Sequence, residues 1–348
     1  MNNHATIIPI AGGKGGVGKT LLTANLGIAL AKSGAPTIVV DLDLGGSNLH
    51  SALGLPNRFP GLGDFLKDKH SNLEDYLVST QWESLKFLPG DSKTPYMANI
   101  SFAEKVKILK RLFTLPAKYI LLDLGAGSSY NTLDYFRIVP NGLLVTTPEK
   151  PALMNMMTFL KNVQLRTIER GIRKYPKARE VLTDYFKYPE KIRNKNIASL
   201  REQMHATSKQ AALHIDMINN RLRPRVIMNM ARQPDDLEKM EAVNNALLQN
   251  LSLRADCFGI VFEDRNVRDA VDNEQSLLGY KPDDIAAKSI LRIADRIERV
   301  WDQGLDDSQD KLYRDTYKFY SEIQASETTI GRIKRLPFKP GLKKLLDS

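Results

Sequence analysis

Cysteine occurs once in 348 residues, at Cys257. That excludes a disulfide framework within the chain. With no Cys-x-x-Cys pair it also excludes a zinc ribbon or a cysteine-held iron–sulfur cluster. Long apolar runs are missing too: no uncharged apolar stretch reaches the roughly 18 residues a membrane-spanning helix needs. Met-Asn-Asn-His leads straight into the first apolar run, which leaves no room for a signal peptide and makes a cytoplasmic location the simplest expectation. Internal repeats and low-complexity tracts are absent. The composition, 42% hydrophobic and 26% charged, is that of an ordinary globular chain. A chain this long can bury roughly three quarters of its unfolded surface, enough for one large α/β domain or two smaller ones.

Charge of one sign is in excess, and it is unevenly placed. The formal net charge is +10. Residues 161–225 carry 16 Lys/Arg against 6 Asp/Glu, and residues 330–348 carry 6 against 1. Everything else is therefore mildly acidic. Two discrete basic segments on an acidic body point to a polyanionic partner surface, although any single charge run is more often only a solvated face.

Short apolar, β-branched runs alternate with helical periodicity. Strands are expected at 5–10, 37–40, 85–88, 119–122, 143–146, 226–228 and 258–262. Helices are expected at 21–31, from about Pro151, at 237–251 and at 285–301. Short amphipathic pieces are expected at 62–67 and 73–78. A helix over 102–113 would bury Phe102, Val106, Leu109 and Phe113 on one face. Pro9 sits awkwardly in the first strand, because it has no donor for the ladder. The alternation predicts an α/β fold, a doubly wound and mostly parallel sheet flanked by helices. Residues 165–222 break the pattern and read as an inserted, basic, mainly helical lobe of a 1–302 domain. Residues 303–348 read as a polar linker and a basic-apolar tail.

The most informative segment is Gly12-Gly13-Lys14-Gly15-Gly16-Val17-Gly18-Lys19-Thr20, set between a strand and a helix. Gly13-x-x-x-x-Gly18-Lys19-Thr20 fits the P-loop pattern. Glycines let backbone N–H groups turn toward a polyphosphate, and the helix N-terminus adds partial positive charge. Lys19 would reach the β- and γ-phosphates and Thr20 would hold Mg²⁺. Lys14 is a second lysine inside the loop, and its flanking glycines leave it free to extend. Two further strands end in acids: Asp41 and Asp43 before Gly45-Gly46, and Asp123 before Gly125-Ala126-Gly127. Asp123 reads as the Walker B acid that positions Mg²⁺, Asp41 as support for the metal shell, and Asp43 as the group that orients an attacking water. A lone Asp after a strand is usually a cap; three beside a complete P-loop are not.

Gly-Lys-Gly-Gly-Val-Gly-Lys-Thr resembles the deviant Walker A loop of the MinD/ParA ATPases, closest to the MinD and FlhG/FleN branch. Residues 40–49 resemble that branch's first switch, 122–127 its second, 146–153 its next strand-end loop near the dimer face, and 226–229 the strand whose Asn contacts adenine. The resemblance covers roughly residues 5–165 and 224–300. It implies ATP and Mg²⁺ as ligands and an ATP-dependent homodimer that sandwiches two nucleotides. Lys14 would cross to the partner's phosphates, so the resemblance makes Lys14, Lys19 and Asp43 the catalytic set. Gly13, Gly15, Gly16, Val17, Gly18, Lys19, Thr20, Leu21 and Asn229 would bind nucleotide, and Lys14 and Glu149 would line the interface. Leu21 stands where many relatives have a second Thr, and Phe262 where they often have Pro.

MinD-like chains often end in an amphipathic helix that docks on membrane. The tail offers Ile333, Leu336, Phe338, Leu342, Leu345 and Leu346 among basic residues, suited to an anionic leaflet. Pro337 and Pro340 oppose one continuous helix. The leading expectation is an ATPase that hydrolyses ATP to ADP and phosphate and positions a cellular structure such as a division site or flagellum. It would answer to an activating protein partner and sit peripherally on the inner face of the cell membrane. The alternative is a ParA-like DNA-partitioning ATPase whose basic lobe grips DNA without sequence preference. The lobe could instead dock an acidic protein. The single Cys257 counts against an iron–sulfur carrier, and no separate substrate constellation supports a ligase.

Overall fold

The computed structural model describes residues 5–68, 70–90, 100–187, 196–303, 305 and 308–335. The chain divides into two units, Met1–Leu305 and Asp306–Ser348. The first is built on one eight-stranded sheet: β1 Thr6–Gly12, β2 Thr37–Leu42, β3 Val78–Ser79, β4 Leu85–Leu88, β5 Tyr119–Leu124, β6 Leu143–Thr146, β7 Arg225–Ala231 and β8 Asp256–Phe262. Their order is β3-β4-β2-β5-β1-β6-β7-β8. All neighbours are parallel except β3, which runs antiparallel to β4 at the edge. The sheet is therefore doubly wound and mostly parallel, flanked by helices, as the sequence pattern predicts.

The strands β2, β5 and β8 are buried at every position. Helices cover both faces of such a sheet, so its strands read as unbroken apolar runs rather than alternating ones. The helix Lys19–Lys32 is enclosed as well, with Leu22, Leu26, Ile28 and Leu30 fully buried in a core that includes Ile290, Ile293 and Ile297 of the helix Ile285–Val300. Pro9 lies in β1 opposite Leu122 of β5, while the ladder to β6 begins only at Ile10. The missing donor thus falls where β1 is paired on one side.

The chain departs from sequence expectation on the helix Phe102–Leu112. Its buried face is Lys105, Ile108 and Leu112, whereas Phe102 is 57% and Phe113 45% exposed. The apolar stripe loses to a buried ion pair, because Lys105 Nζ lies 2.7 Å from Asp134 Oδ2. The 73–78 piece is a single 3₁₀ turn, Leu73–Tyr76, that leads into β3. Between β6 and β7 the described residues form four helices, Lys150–Gly171, Pro176–Lys187, Ile197–Thr207 and Lys209–Arg221. In the second unit the polar stretch is one helix, Ser308–Arg335, which includes Ile333. Leu336, Phe338, Leu342, Leu345 and Leu346 lie outside the described residues.

Asp134 ties the helix Phe102–Leu112 to the helix Lys150–Gly171. Burial alone would raise its pKa, but hydrogen bonds and charge from Arg166 and Lys105 hold its carboxyl well below the ordinary 3.8. A depressed carboxyl contributes stability above the unfolded-state pKa and loses it as the pH falls through the folded one. Asp134→Asn should therefore cost about 3–5 kcal/mol at neutral pH, the scale of breaking a buried pair. Thermal melts of both proteins should converge as the pH drops below about 4. A gap that stays constant with pH would show that Asp134 contributes by packing, not by charge.

Candidate nucleotide site

The strand order reverses around β1: the chain moves to β2 on one side, returns through β5, and then steps to β6 on the other side. Ligands of open α/β sheets bind at such a point, outside the C-terminal strand ends. The glycine-rich loop leaves β1 there. Gly16 and Gly18 have φ of 78° and 88°, a region that favours glycine. A Cβ on Gly13 would lie 2.5 Å from Met156 N, inside the backbone of the helix Lys150–Gly171. The loop is thus clamped against that helix, while Gly15 and Gly16 have open space where a side chain would be.

Lys19 begins the helix and is buried. Thr23, one turn on, donates from Oγ1 to Asp123 Oδ1 at 3.2 Å, and the Thr20 hydroxyl also bonds Asp123. Asp123 stands beside Asp41 across the β2–β5 ladder, and both are buried. Burial first, then the Asp41 charge, raises Asp123 to about 7, against the pull of Lys19, Thr20 and Thr23. Burial, together with the nearby Asp43 charge, raises Asp41 to about 6 despite hydrogen bonds from Ser47, Leu49 and Asp43.

These groups fit a magnesium ion. The donors are all oxygen, as hard cations require, and Mg²⁺ is usually held by one or two carboxylates plus phosphate oxygens. Two buried carboxylates whose charges repel are the environment a divalent cation would relieve. Thr20 and Asp123 are placed to hold it. Asp41 also anchors backbone. Its Oδ2 accepts from Ser47 Oγ at 2.6 Å and Leu49 N–H at 3.1 Å, and its Oδ1 from Asp43 N–H at 3.1 Å. It therefore ties down the loop after β2.

Asp43 is half-buried, and its carboxylate flanks Gly46 and Gly125, between the loops that follow β2 and β5. The second of these loops is tied to the first strand by Gly127 N–H, which donates to Gly12 O at 3.3 Å. Lys14 is half-buried. Its charge acts on Glu149, whose pKa is held low by the Thr147 hydroxyl, its own backbone N–H, and Lys14 and Arg232. Asn229 Nδ2 donates to Val17 O at 2.8 Å. Its amide nitrogen thus fixes the phosphate loop. Val17 is buried, Leu21 packs beside the core, and Phe262 is buried at the end of β8. Cys257 is buried, which pushes its thiol up to about 12, an inert group.

Sequence reading missed three groups. Thr23 had a faint signal, one helical turn after Lys19. Ser47 and the Leu49 N–H had none, because a turn alone joins them to Asp41.

The clamp on the loop can be tested directly. Gly13→Ala forces a methyl into the Asn155–Met156 backbone, an overpacking cost of about 1–3 kcal/mol. Calorimetry should show Mg-ADP affinity falling about tenfold or more with the far-ultraviolet spectrum unchanged. Unaltered affinity would mean the loop yields freely.

Comparison with known proteins agrees with this geometry. The CobQ/CobB/MinD/ParA nucleotide binding domain family matches residues 8–278. The septum site-determining protein MinD of Helicobacter pylori is 37% identical over 150 residues, 43% of this chain and 55% of that protein. MinD of Thermotoga maritima is 37% identical over 148 residues, 42% and 54% of the two chains. The chain thus spans about half the length of these curated relatives. The solved MinD of Pyrococcus horikoshii, complexed with Mg-ADP, superposes with a TM-score of 0.58 at 22% identity, over 85% of this chain and 96% of that one. A ParA family ATPase from Chlorobium tepidum gives 0.56 at 17%, over 84% and 98%. These two likenesses bear on fold alone. With a family match running from the first strand past the last, the chain belongs to the CobQ/CobB/MinD/ParA family of P-loop nucleotide-binding domains.

Proposed function

We propose that this protein is an ATP-driven dimerisation switch that hydrolyses ATP and positions a cellular structure from the surface it binds. The observation that carries this reading is one constellation. The buried Lys19 and the half-buried Thr20 sit over the buried pair Asp123 and Asp41, and Lys14 and Asp43 stand on separate loops at the mouth. Lys19 and the loop N–H groups bind the β- and γ-phosphates. Thr20 and Asp123 hold Mg²⁺, which when bound neutralises the phosphate oxygens. Asp43 orients the attacking water, and its carboxylate accepts a hydrogen bond from it. Lys14 extends to the nucleotide of a second copy, with Glu149 beside it at the interface. Asn229 fixes the loop and offers Oδ1 to the base. Loss of the γ-phosphate frees Asp43, and the strain passes through Asp41 to Ser47 and Leu49, loosening the loop that closes the dimer.

The bound surface is an anionic membrane, reached through the basic-apolar tail and made firm when a dimer presents two tails. The cell-inner membrane face and an activating protein partner belong to the same reading. No helix among the described residues is long and apolar enough to cross a membrane. The second reading, non-specific DNA partitioning, is favoured by the exposed cations Arg173, Lys174, Lys177, Arg179, Lys187, Lys209 and Arg221. Against it, Arg201 is engaged with Asp216.

Two measurements test these statements. Lys14→Ala should abolish ATP-dependent dimers in light scattering and lower turnover by on the order of 10³-fold, as for a charge supplied in trans. Retained dimers with normal phosphate release would refute the switch. Anionic vesicles should pellet the protein with ATP and not with ADP, and removing residues 330–348 should abolish this. Retention on DNA without vesicle binding would instead select the partitioning reading.

A further inference from the structure

Away from the nucleotide, four cations converge on one carboxylate. Asp134 is contacted by Lys105 Nζ at 2.7 Å, Arg166 Nε at 3.1 Å, Arg170 Nη2 at 3.1 Å and Arg137 Nε at 3.3 Å. Arg166 also pairs with Glu169, a half-exposed residue, at 2.8 Å. Among the described residues, two carboxylates thus face four cations, and the three guanidinium side chains are only 18–28% exposed. Partly buried charge without a matching counter-charge is unfavourable. Burial and repulsion from Arg170 accordingly lower the pKa of Arg137. One carboxylate would suffice to tie the helices together; the excess is a standing attraction for further anions.

The rim of this hub is aromatic. Arg166 stacks on Tyr130, 4.6 Å from the ring centroid, and Arg170 on Phe102 at 4.8 Å. Tyr130 is 69% exposed and Phe102 57%. Single exposed aromatics are ordinary, but two backed by guanidinium groups of the same hub form one surface. Phe102 lies there because its helix turns Lys105 inward.

We infer that this patch docks an acidic segment of a partner protein. Arg137, Arg166 and Arg170 take its carboxylates, and Phe102 and Tyr130 take its apolar side chains. Arg, Tyr and Phe together are the composition of a protein–protein contact. A DNA duplex presents a dense line of charge, one per about 1.7 Å, and is met by protruding lysines and arginines. These guanidinium groups are recessed, within reach of separate side-chain carboxylates. The patch also adjoins the loop that follows β5 beside the site. Tyr130 follows the 125–129 loop, whose Gly127 is bonded to Gly12.

The full chain, without nucleotide, is titrated against a fluorescein-labelled Glu/Leu peptide and, separately, a labelled DNA duplex, with anisotropy as the readout. Saturable peptide binding is expected, weakened about tenfold by Arg170→Gln and by Tyr130→Ala, with DNA affinity unaffected by either. Tyr130→Ala alters a ring on the surface, so an unchanged melting temperature separates lost contact from lost fold. Absent peptide binding, or binding that either substitution leaves intact, overturns the inference. So does a loss of DNA binding in place of peptide binding. Because no nucleotide enters the assay, its failure would leave the ATP switch standing.

Discussion

Asp41 and Asp123 face one another across the β2–β5 ladder, both out of contact with water. Two carboxylates in that position resist ionising together; Lys19, Thr20 and Thr23 favour the charged form of Asp123, and hydrogen bonds from Ser47, Leu49 and Asp43 that of Asp41. The site is thus short of positive charge, which a bound divalent cation would supply. Much of the surrounding architecture follows from this. The helix after the phosphate loop must present Thr20 and Thr23 to the acids, and the loop after β2 must close over Asp41 with Ser47 and Leu49.

The phosphate loop itself is supported from the opposite side of β1. Asn229, on β7, bonds the Val17 carbonyl, and the helix Lys150–Gly171 packs against Gly13. Both supports come from distant sequence, and they place Lys14 near Glu149. The same helix carries Arg166 and Arg170 to Asp134. One rigid element thus joins the back of the phosphate loop to a basic, aromatic surface beside the 125–129 loop.

The sheet and the cradle were legible because they rest on local signals. Buried parallel strands are short apolar runs, and the loop from Gly12 to Thr20 requires its glycines for backbone reasons. Acids at the ends of β2 and β5 could be named as a set because each follows such a run. The helix Phe102–Leu112 was readable as a helix but not in its orientation. Its apolar stripe outvoted Lys105 in periodicity, yet the carboxylate that draws Lys105 inward lies 29 positions away. Ser47 could not be seen because only a turn joins it to Asp41, and the bond from Asn229 to Val17 could not because 212 positions separate the two.

What the chain's order of residues determined by itself is the alternation of strands and helices, the phosphate loop, and the location of acids after strands. Each is set by backbone geometry and by burial within a few neighbouring positions. Tertiary structure alone decided that Asp41 should adjoin Asp123, that Lys105 should turn inward while Phe102 turns out, and that four cations should meet at Asp134. These depend on which strands become neighbours and which helices pack, and electrostatic energy between remote groups is realised only once folding has excluded the water between them.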